Sequence, residues 1–251
     1  LFVFCNILLS LISVRIYPEV RILKLVSSIA YLIQPFVLIK YVKNRYEVNW
    51  NAPQNKSLLK QRWDGFEISL ANLVATNTDV IVLTAFSTLE TVSVYTIYSQ
   101  ILVAIKGLVN SVTNGFQAQI GQLYAKEDYE KLNKQFALYE YSTNIVAGIL
   151  VTCCAEMIVP FVLIYTNGVT DANYNVPLFA FLITLSILLV CIREPYIQMT
   201  YCAGFFKRTS KYAFIEAALN ICISILLVLQ LGLVGVAIGT IISVLYRHIV
   251  T

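Results

Sequence analysis

Arg193 and Glu194 stand side by side within an apolar segment, in the sequence VCIREPYIQ at positions 190–198. An ionisable side chain at membrane depth costs on the order of a few kcal/mol, so it normally faces a partner or water. Pro195 follows directly and removes one backbone hydrogen bond from a helix. Two alternatives fit this pattern. Either Arg193 pairs with Glu216 across a kinked helix, or it contacts a substrate or gates a cavity beside a broken helix.

Other ionisable residues lie at similar depth in neighbouring apolar segments, namely Asp79, Lys106, Glu156 and Glu216. Pairing would neutralise Asp79 and Lys106, but in a helical hairpin residue 79 lies opposite about residue 100, an offset of about 9 Å. Polar residues accompany these charges at helical spacing, and they include Asn72, Asn110, Gln117 and Asn220. Polar stripes on several helices predict a shared hydrated cavity inside the bundle.

The elements that must position these residues are membrane helices. Of the 251 residues 58% are hydrophobic and 13% are charged, whereas a soluble domain has about a quarter charged residues. The long apolar segments predict an all-α, polytopic membrane helix bundle. We predict eight spans, at 1–16, 22–42, 64–87, 91–123, 136–165, 175–201, 210–229 and 232–247. The cysteines lack metal-ligand spacing and His248 is the single histidine, so we expect no metal site and no cofactor.

Basic residues are concentrated in four alternating regions, at 40–62, 124–135, 207–211 and Arg247. The positive-inside rule predicts that these regions are cytoplasmic. Arg15, Arg21 and Lys24 would then face outside, and their role stays open. In the connection KEDYEKLNKQ, i,i+4 spacing predicts a short helix in which Glu127 pairs with Lys131, and Glu130 likewise with Lys134.

Two long segments resemble a known family. They are NTDVIVLTAFSTLE onward to residue 136, and REPYIQMTYCAGFFKRTSKYAFIEAALN onward through LGLVGVAIGTIISVLYR. Both are similar to the bacterial O-antigen and capsule flippases, the polysaccharide export proteins of the multidrug/oligosaccharidyl-lipid/polysaccharide exporter superfamily. The resemblance covers residues 60–251 well and 1–59 loosely.

The resemblance implies a MATE-like fold of twelve or fourteen spans in two six-helix bundles that open alternately to the two sides. Because the chain begins with Leu, we expect it to be a piece of a longer protein. Residues 1–42 would be the last two spans of the incomplete N-terminal bundle. Residues 43–62 would be a cytoplasmic linker, and 63–251 the C-terminal bundle.

The resemblance also implies a cargo and residue roles. The cargo would be an undecaprenyl-pyrophosphate-linked oligosaccharide, flipped to the outer leaflet of the bacterial cytoplasmic membrane under an ion gradient. Candidates for contacting substrate or gating are Arg193, Lys106, Asn72, Asn110, Gln117 and Asn220. Candidates for ion coupling are Asp79, Glu216, Glu156 and Glu194. The interior acids outnumber Lys106 and Arg193, which fits ion coupling better than pyrophosphate binding.

Two other functions are compatible with the sequence. A cation-coupled multidrug exporter would favour an acidic, aromatic cavity, which Asp79 and the many tyrosines allow. A membrane enzyme of polysaccharide polymerisation would need a large outer loop, and the longest has about ten residues, so we expect no enzyme. Expected partners are the lipid-linked oligosaccharide, membrane lipids and polysaccharide polymerase machinery, with no nucleic acid.

Overall fold

The computed structural model describes residues 2–16, 19–45 and 62–251, and every regular element in these ranges is an α-helix. The all-α prediction is therefore confirmed. The helices are α1 (Phe2–Ile16), α2 (Val20–Arg45), α3 (Arg62–Phe86), α4 (Leu89–Ala125), α5 (Tyr129–Tyr165), α6 (Pro177–Cys202) and α7 (Phe206–Val250). Non-helical backbone at Gly232 divides α7 into two segments, 206–231 and 233–250.

Among the described residues, six helices are long and apolar enough to cross a membrane, namely α2 to α7. The protein is therefore a multi-pass membrane protein. Each of the eight predicted spans overlaps one helical segment, and the last two spans are the two segments of α7. α1 has 15 residues, which is shorter than the roughly 17 that a span requires.

The chain divides into two compact units, Leu1–Ser57 and Leu58–Thr251. In the first unit α1 packs against α2. Ser27 donates a hydrogen bond to Asn6 Oδ1 at 2.9 Å, and Asn6 Nδ2 donates to the Ser27 carbonyl at 3.2 Å. The division falls within the predicted linker at 43–62, of which residues 46–61 lie outside the described residues.

In the second unit, α3 packs mainly against α7, while α4, α5 and α6 pack on one another and α6 also contacts α7. A large apolar cluster around Leu83, Tyr98 and Phe179 fills the end of the bundle that carries few charges. A smaller cluster around Ile120 and Tyr139 lies at the basic end. Between these two clusters lie the buried Arg193 and a third apolar group of Val109, Ala147 and Cys191.

α7 is a tight helical hairpin. Gly232 adopts a φ of 54°, a conformation that glycine tolerates at little cost, and the chain reverses there. A Cβ added to Gly235 would overlap the Leu227 carbonyl, and one added to Gly239 would lie 3.0 Å from the Ser224 backbone nitrogen. The two segments of α7 are therefore in close contact, which small residues at the GxxxG spacing of Gly235 and Gly239 allow.

One of the two alternatives for α6 and one local prediction need correction. α6 runs without interruption from Pro177 to Cys202, with Pro195 inside it, so the helix is not broken there. No separate short helix lies at 126–135, because α5 begins at Tyr129 directly after a three-residue turn.

The ion pairs of that turn also differ in part from the prediction. The predicted pair of Lys134 with Glu130 forms at 3.0 Å. Lys131 pairs instead with Asp128, at 2.8 Å, because Asp128 caps the start of α5 and Glu127 lies in the turn with a φ of 57°.

Candidate functional site

A cavity of about 530 Å³ lies within the second unit, between α3, α4, α6 and both segments of α7. It occurs where the polar stripes predicted one. Its lining includes six ionisable residues, which are Asp79, Lys106, Arg193, Glu194, Glu216 and Arg247. Asn72 and Asn220 also line it, together with Ser99, Tyr95, Tyr201 and Thr240.

Two arginines share one carboxylate in the wall of this cavity. Arg193 Nη1 lies 2.9 Å from Glu216 Oε1, and Arg247 Nη1 lies 3.4 Å from Glu216 Oε2. All three side chains are buried, with Arg247 only 2% exposed. A single carboxylate between two guanidinium groups leaves this Arg–Glu–Arg triad with a formal charge of +1.

The triad contains the pair that the first alternative predicted for Arg193, since its guanidinium meets Glu216. Arg193 also lines the cavity, and its contact with a substrate or a role in gating stays a prediction. Within the described residues, Nε of Arg193 and Nε of Arg247 are buried without a hydrogen-bond partner. The guanidinium groups therefore keep donors that Glu216 does not use.

A second polar cluster surrounds Asp79 and joins α3, α4 and α7. Tyr95 Oη and the Thr240 hydroxyl each donate to Asp79 Oδ2 at 2.9 Å. Asp79 Oδ1 is buried without a partner among the described residues. Asn220 lies close to this carboxylate and accepts a hydrogen bond from Ser224 at 2.9 Å.

Lys106 and Glu194 complete the charged lining. Lys106 is half-buried on the cavity wall and makes no ion pair within the part of the chain that the structure describes. Asp79 bonds to Tyr95 and Thr240 rather than to Lys106, as the axial offset of the two residues predicted. Glu194 accepts a hydrogen bond from Gln198 at 2.7 Å, one turn further along α6.

Three candidate residues lie outside the cavity. Asn110 and Gln117 are half-buried on α4 but do not line it, and Gln117 donates to Asn114 at 3.4 Å. The interior position predicted for Glu156 is wrong, because this side chain is exposed. The inward face of α5 consists of residues at three- and four-residue spacing, including Ala147, Val151, Cys154, Ile158 and Val162. Glu156 falls on the opposite side of the helix.

Arg247 was not predicted as a site residue. Because it lies at the end of the last predicted span, we expected its charge to lie outside the membrane. The hairpin of α7 instead buries it beside Glu216. A signal was present in the sequence, since Thr240, Ser243 and Arg247 recur at three- and four-residue spacing on one helical face. Tyr95 was missed because a tyrosine within an apolar helix gives no sign of its hydrogen-bond partner.

The positions of Arg247 and Glu156 change the charge expected for the site. With Arg247 included and Glu156 removed, the cavity has three basic residues and three acidic residues, so its formal charge is zero. The expected excess of interior acids is therefore wrong. Such a lining can hold an anionic group and a cation at different places along the same cavity.

The geometry alone supports a multi-pass helical membrane protein with a charged internal cavity. Comparison of the chain with models of protein families, with curated proteins and with solved structures gives no match.

Proposed function

We propose that this protein is a membrane transporter that flips undecaprenyl-pyrophosphate-linked oligosaccharide units from the cytoplasmic to the outer leaflet of a bacterial cytoplasmic membrane. The product would serve surface polysaccharide biosynthesis, for O-antigen or capsule. The proposal rests on the resemblance of residues 60–251 to polysaccharide export proteins, and on the charged cavity. It involves no covalent chemistry and no cofactor.

The observation that carries the proposal is a charged cavity between helices that are apolar over most of their length. Charges at membrane depth are costly, and they normally mark a pathway for a polar substrate or an ion. Lys106, which has no acidic partner in the described residues, is the cation most available to an anionic headgroup. The net positive Arg193–Glu216–Arg247 triad is the second such group.

Ion coupling belongs to the same proposal, and Asp79 is its strongest candidate. The carboxylate lines the cavity and retains an oxygen without a partner in the described residues. Glu216 is already neutralised by two arginines, and Glu156 lies on the outer face of α5. Glu194 has only Gln198 as a partner and remains a second candidate.

The architecture that we propose is MATE-like. Residues 63–251 would form a C-terminal six-helix bundle, 43–62 a cytoplasmic linker, and 1–42 the last two spans of an N-terminal bundle. The six helical segments of the described range 62–251 agree in number with that bundle.

The test is deletion of the complete gene in its host, with rescue by variants. Deletion is expected to cause lipid-linked oligosaccharide to accumulate on the inner leaflet while surface polysaccharide falls. The intact gene should restore export, and so should Lys134→Gln, which removes an exposed lysine at the end of the bundle. Lys106→Gln should reduce export about tenfold or more at equal protein abundance, the size expected for a lost charged hydrogen bond. Normal oligosaccharide levels after deletion would overturn the proposal.

The second candidate is a cation-coupled multidrug exporter. The observation that favours it is the contact of Tyr95 with Asp79, since a carboxylate among aromatic rings suits an organic cation. Sensitivity to cationic drugs after deletion, with unchanged surface polysaccharide, would favour this function over the flippase.

A further inference from the structure

A second concave site lies at the predicted cytoplasmic end of the bundle, where α6 ends and α7 begins. It has a volume of about 490 Å³ and is lined by Gly204, Phe205, Lys207, Arg208, Lys211 and Tyr212. We call it the basic pocket. It is separate from the internal cavity, and the proposed transport function does not use it.

The basic pocket concentrates the positive charge of three side chains. Lys207, Arg208 and Lys211 are all exposed, and none of them forms an ion pair with a described residue. Two lysines near the start of α5 differ, since Lys131 and Lys134 both pair with neighbouring carboxylates. The basic pocket is therefore open to an external anion.

Two contacts hold the pocket in shape. Arg208 Nε donates to Tyr212 Oη at 3.3 Å, and the guanidinium carbon lies 5.7 Å from the centroid of the Tyr212 ring. These contacts orient the guanidinium and do not use its terminal nitrogens. The chain enters α7 through Gly204 with a φ of 76°, and no side chain caps the helix. The first backbone N–H groups of α7 thus add donors beside the three cations.

The surroundings indicate that the anion belongs to the membrane. Phe206 stacks on Tyr201 with ring centroids 5.7 Å apart, and Phe205 is 58% exposed on the pocket wall. Aromatic rings beside lysine and arginine at the end of a membrane helix are typical of the level of the lipid headgroups. Each basic residue near an anionic leaflet adds to its attraction for such lipids.

We propose that the basic pocket binds the phosphate of an anionic phospholipid headgroup from the surrounding leaflet. Lys207 and Lys211 supply charge, and Arg208 supplies an oriented guanidinium that can meet two phosphate oxygens. The site would anchor the start of α7, whose continuation carries Glu216 of the internal cavity.

The experiment measures lipid binding to the full chain in detergent by native mass spectrometry, with phosphatidylglycerol and phosphatidylcholine of identical acyl chains. The wild type should prefer phosphatidylglycerol. Lys207→Gln with Lys211→Gln should lower that affinity about fivefold for each lysine removed. The matched control, Lys131→Gln with Lys134→Gln, also removes two positive charges and should leave the preference unchanged.

The outcomes distinguish a lipid site from a general effect of charge and from a site for free anions. An equal loss in both double variants would assign the preference to overall charge and overturn the proposal, as would no preference in the wild type. A third outcome is that inorganic phosphate at millimolar concentration also displaces phosphatidylglycerol and raises the melting temperature of the protein as much as the lipid does. That result would identify a site for free anions and overturn the proposal. If the double glutamine variant does not fold, two other variants replace it. Lys207→Arg with Lys211→Arg must retain the preference for phosphatidylglycerol, and Arg208→Gln must reduce it. Failure of either result overturns the proposal.

Discussion

Glu216 and Arg247 are 31 residues apart in the sequence, yet their side chains meet at 3.4 Å. They meet because α7 reverses at Gly232 and its two segments pack closely at Gly235 and Gly239. The same register places residue 239 beside 224 and residue 235 beside 227. A backbone feature near one end of the bundle thus determines which charges meet at its centre.

Glu216→Gln is expected to destabilise the protein. Removing the carboxylate leaves Arg193 and Arg247 buried without compensation, and breaking such a group typically costs about 3–5 kcal/mol. Thermal unfolding in detergent would measure the loss. Glu130→Gln breaks an exposed pair and should leave the melting temperature unchanged. Equal stability of the two variants would mean that water in the cavity solvates the arginines.

Asp79→Asn is expected to impair transport without loss of protein. The amide oxygen can still accept from Tyr95 and Thr240, but the charge available to a coupled ion is gone. Transport driven by an ion gradient in vesicles should fall roughly tenfold, within the range of a typical coupling free energy. Glu156→Gln removes an acid on the outer face of α5 and should transport normally. Retained gradient dependence in Asp79→Asn would exclude this residue as the coupling group.

Gly239→Ala is expected to force the two segments of α7 apart. The new methyl group would meet the backbone of Ser224, and overpacking of this kind costs about 1–3 kcal/mol. Gly148→Ala on α5 is the control, because a Cβ at that position meets nothing within 4 Å. Melting temperatures of both variants measure the difference. A fully stable Gly239→Ala protein would show that the hairpin does not need its close contact.

The orientation in the membrane can be checked by labelling. In a cysteine-free background, a cysteine at Asn167 should react with an impermeant reagent added outside intact cells, and one at Lys207 should not. The reason is that the connection from α5 to α6 has no basic residue, whereas Lys207 lies in a basic cluster. The reverse labelling pattern would overturn the predicted topology and place the basic pocket on the other side.

The start of α5 should show a pH dependence. The Lys131 ammonium and the Lys131 backbone N–H both donate to the Asp128 carboxylate, which lowers the pKa of Asp128 from its usual value. A lowered folded-state pKa stabilises the fold above the unfolded pKa, and this contribution disappears as the pH falls through the lower, folded pKa. Asp128→Ala should therefore reduce amide protection in the first turn of α5 at neutral pH.

The difference between Asp128→Ala and the wild type should vanish in strong acid, below the folded pKa of Asp128. Lys131→Gln provides the complementary measurement, since it removes the main cause of the shift and should move the acid transition towards the ordinary pKa of aspartate. An identical acid transition in the wild type and in Asp128→Ala would contradict this assignment.

Hydropathy predicted the helices well because the length and apolar character of a span are recorded locally in its residues. The spacing of polar residues predicted the cavity, because polar residues at helical spacing lie on one face of a helix. Which way that face turns depends on the neighbouring helices. Glu156 was misplaced for this reason, as its helix turns a different, largely apolar face inward. Arg247 was misplaced because a charge near a helix end can lie in solvent or under a neighbouring segment.

Close-range partners were the least predictable part. Spacing alone favours a pair of Lys131 with Glu127, but α5 begins at Tyr129, two residues after Glu127, and Asp128 becomes the cap. Helical spacing likewise gave no indication that Tyr95 would reach Asp79, because the angle between α3 and α4 determines that contact.

The helices of the second unit are not packed equally tightly against one another. α3 makes far more contact with α7 than with α4. α4 is nevertheless its neighbour along the chain, and only Ser87 and Thr88 connect the two helices. The surface between α3 and α4 is thus a less tightly packed seam in the bundle. The hydrogen bond from Tyr95 to Asp79 joins α4 to α3 across this seam. Loss of this bond would weaken the contact between α3 and α4.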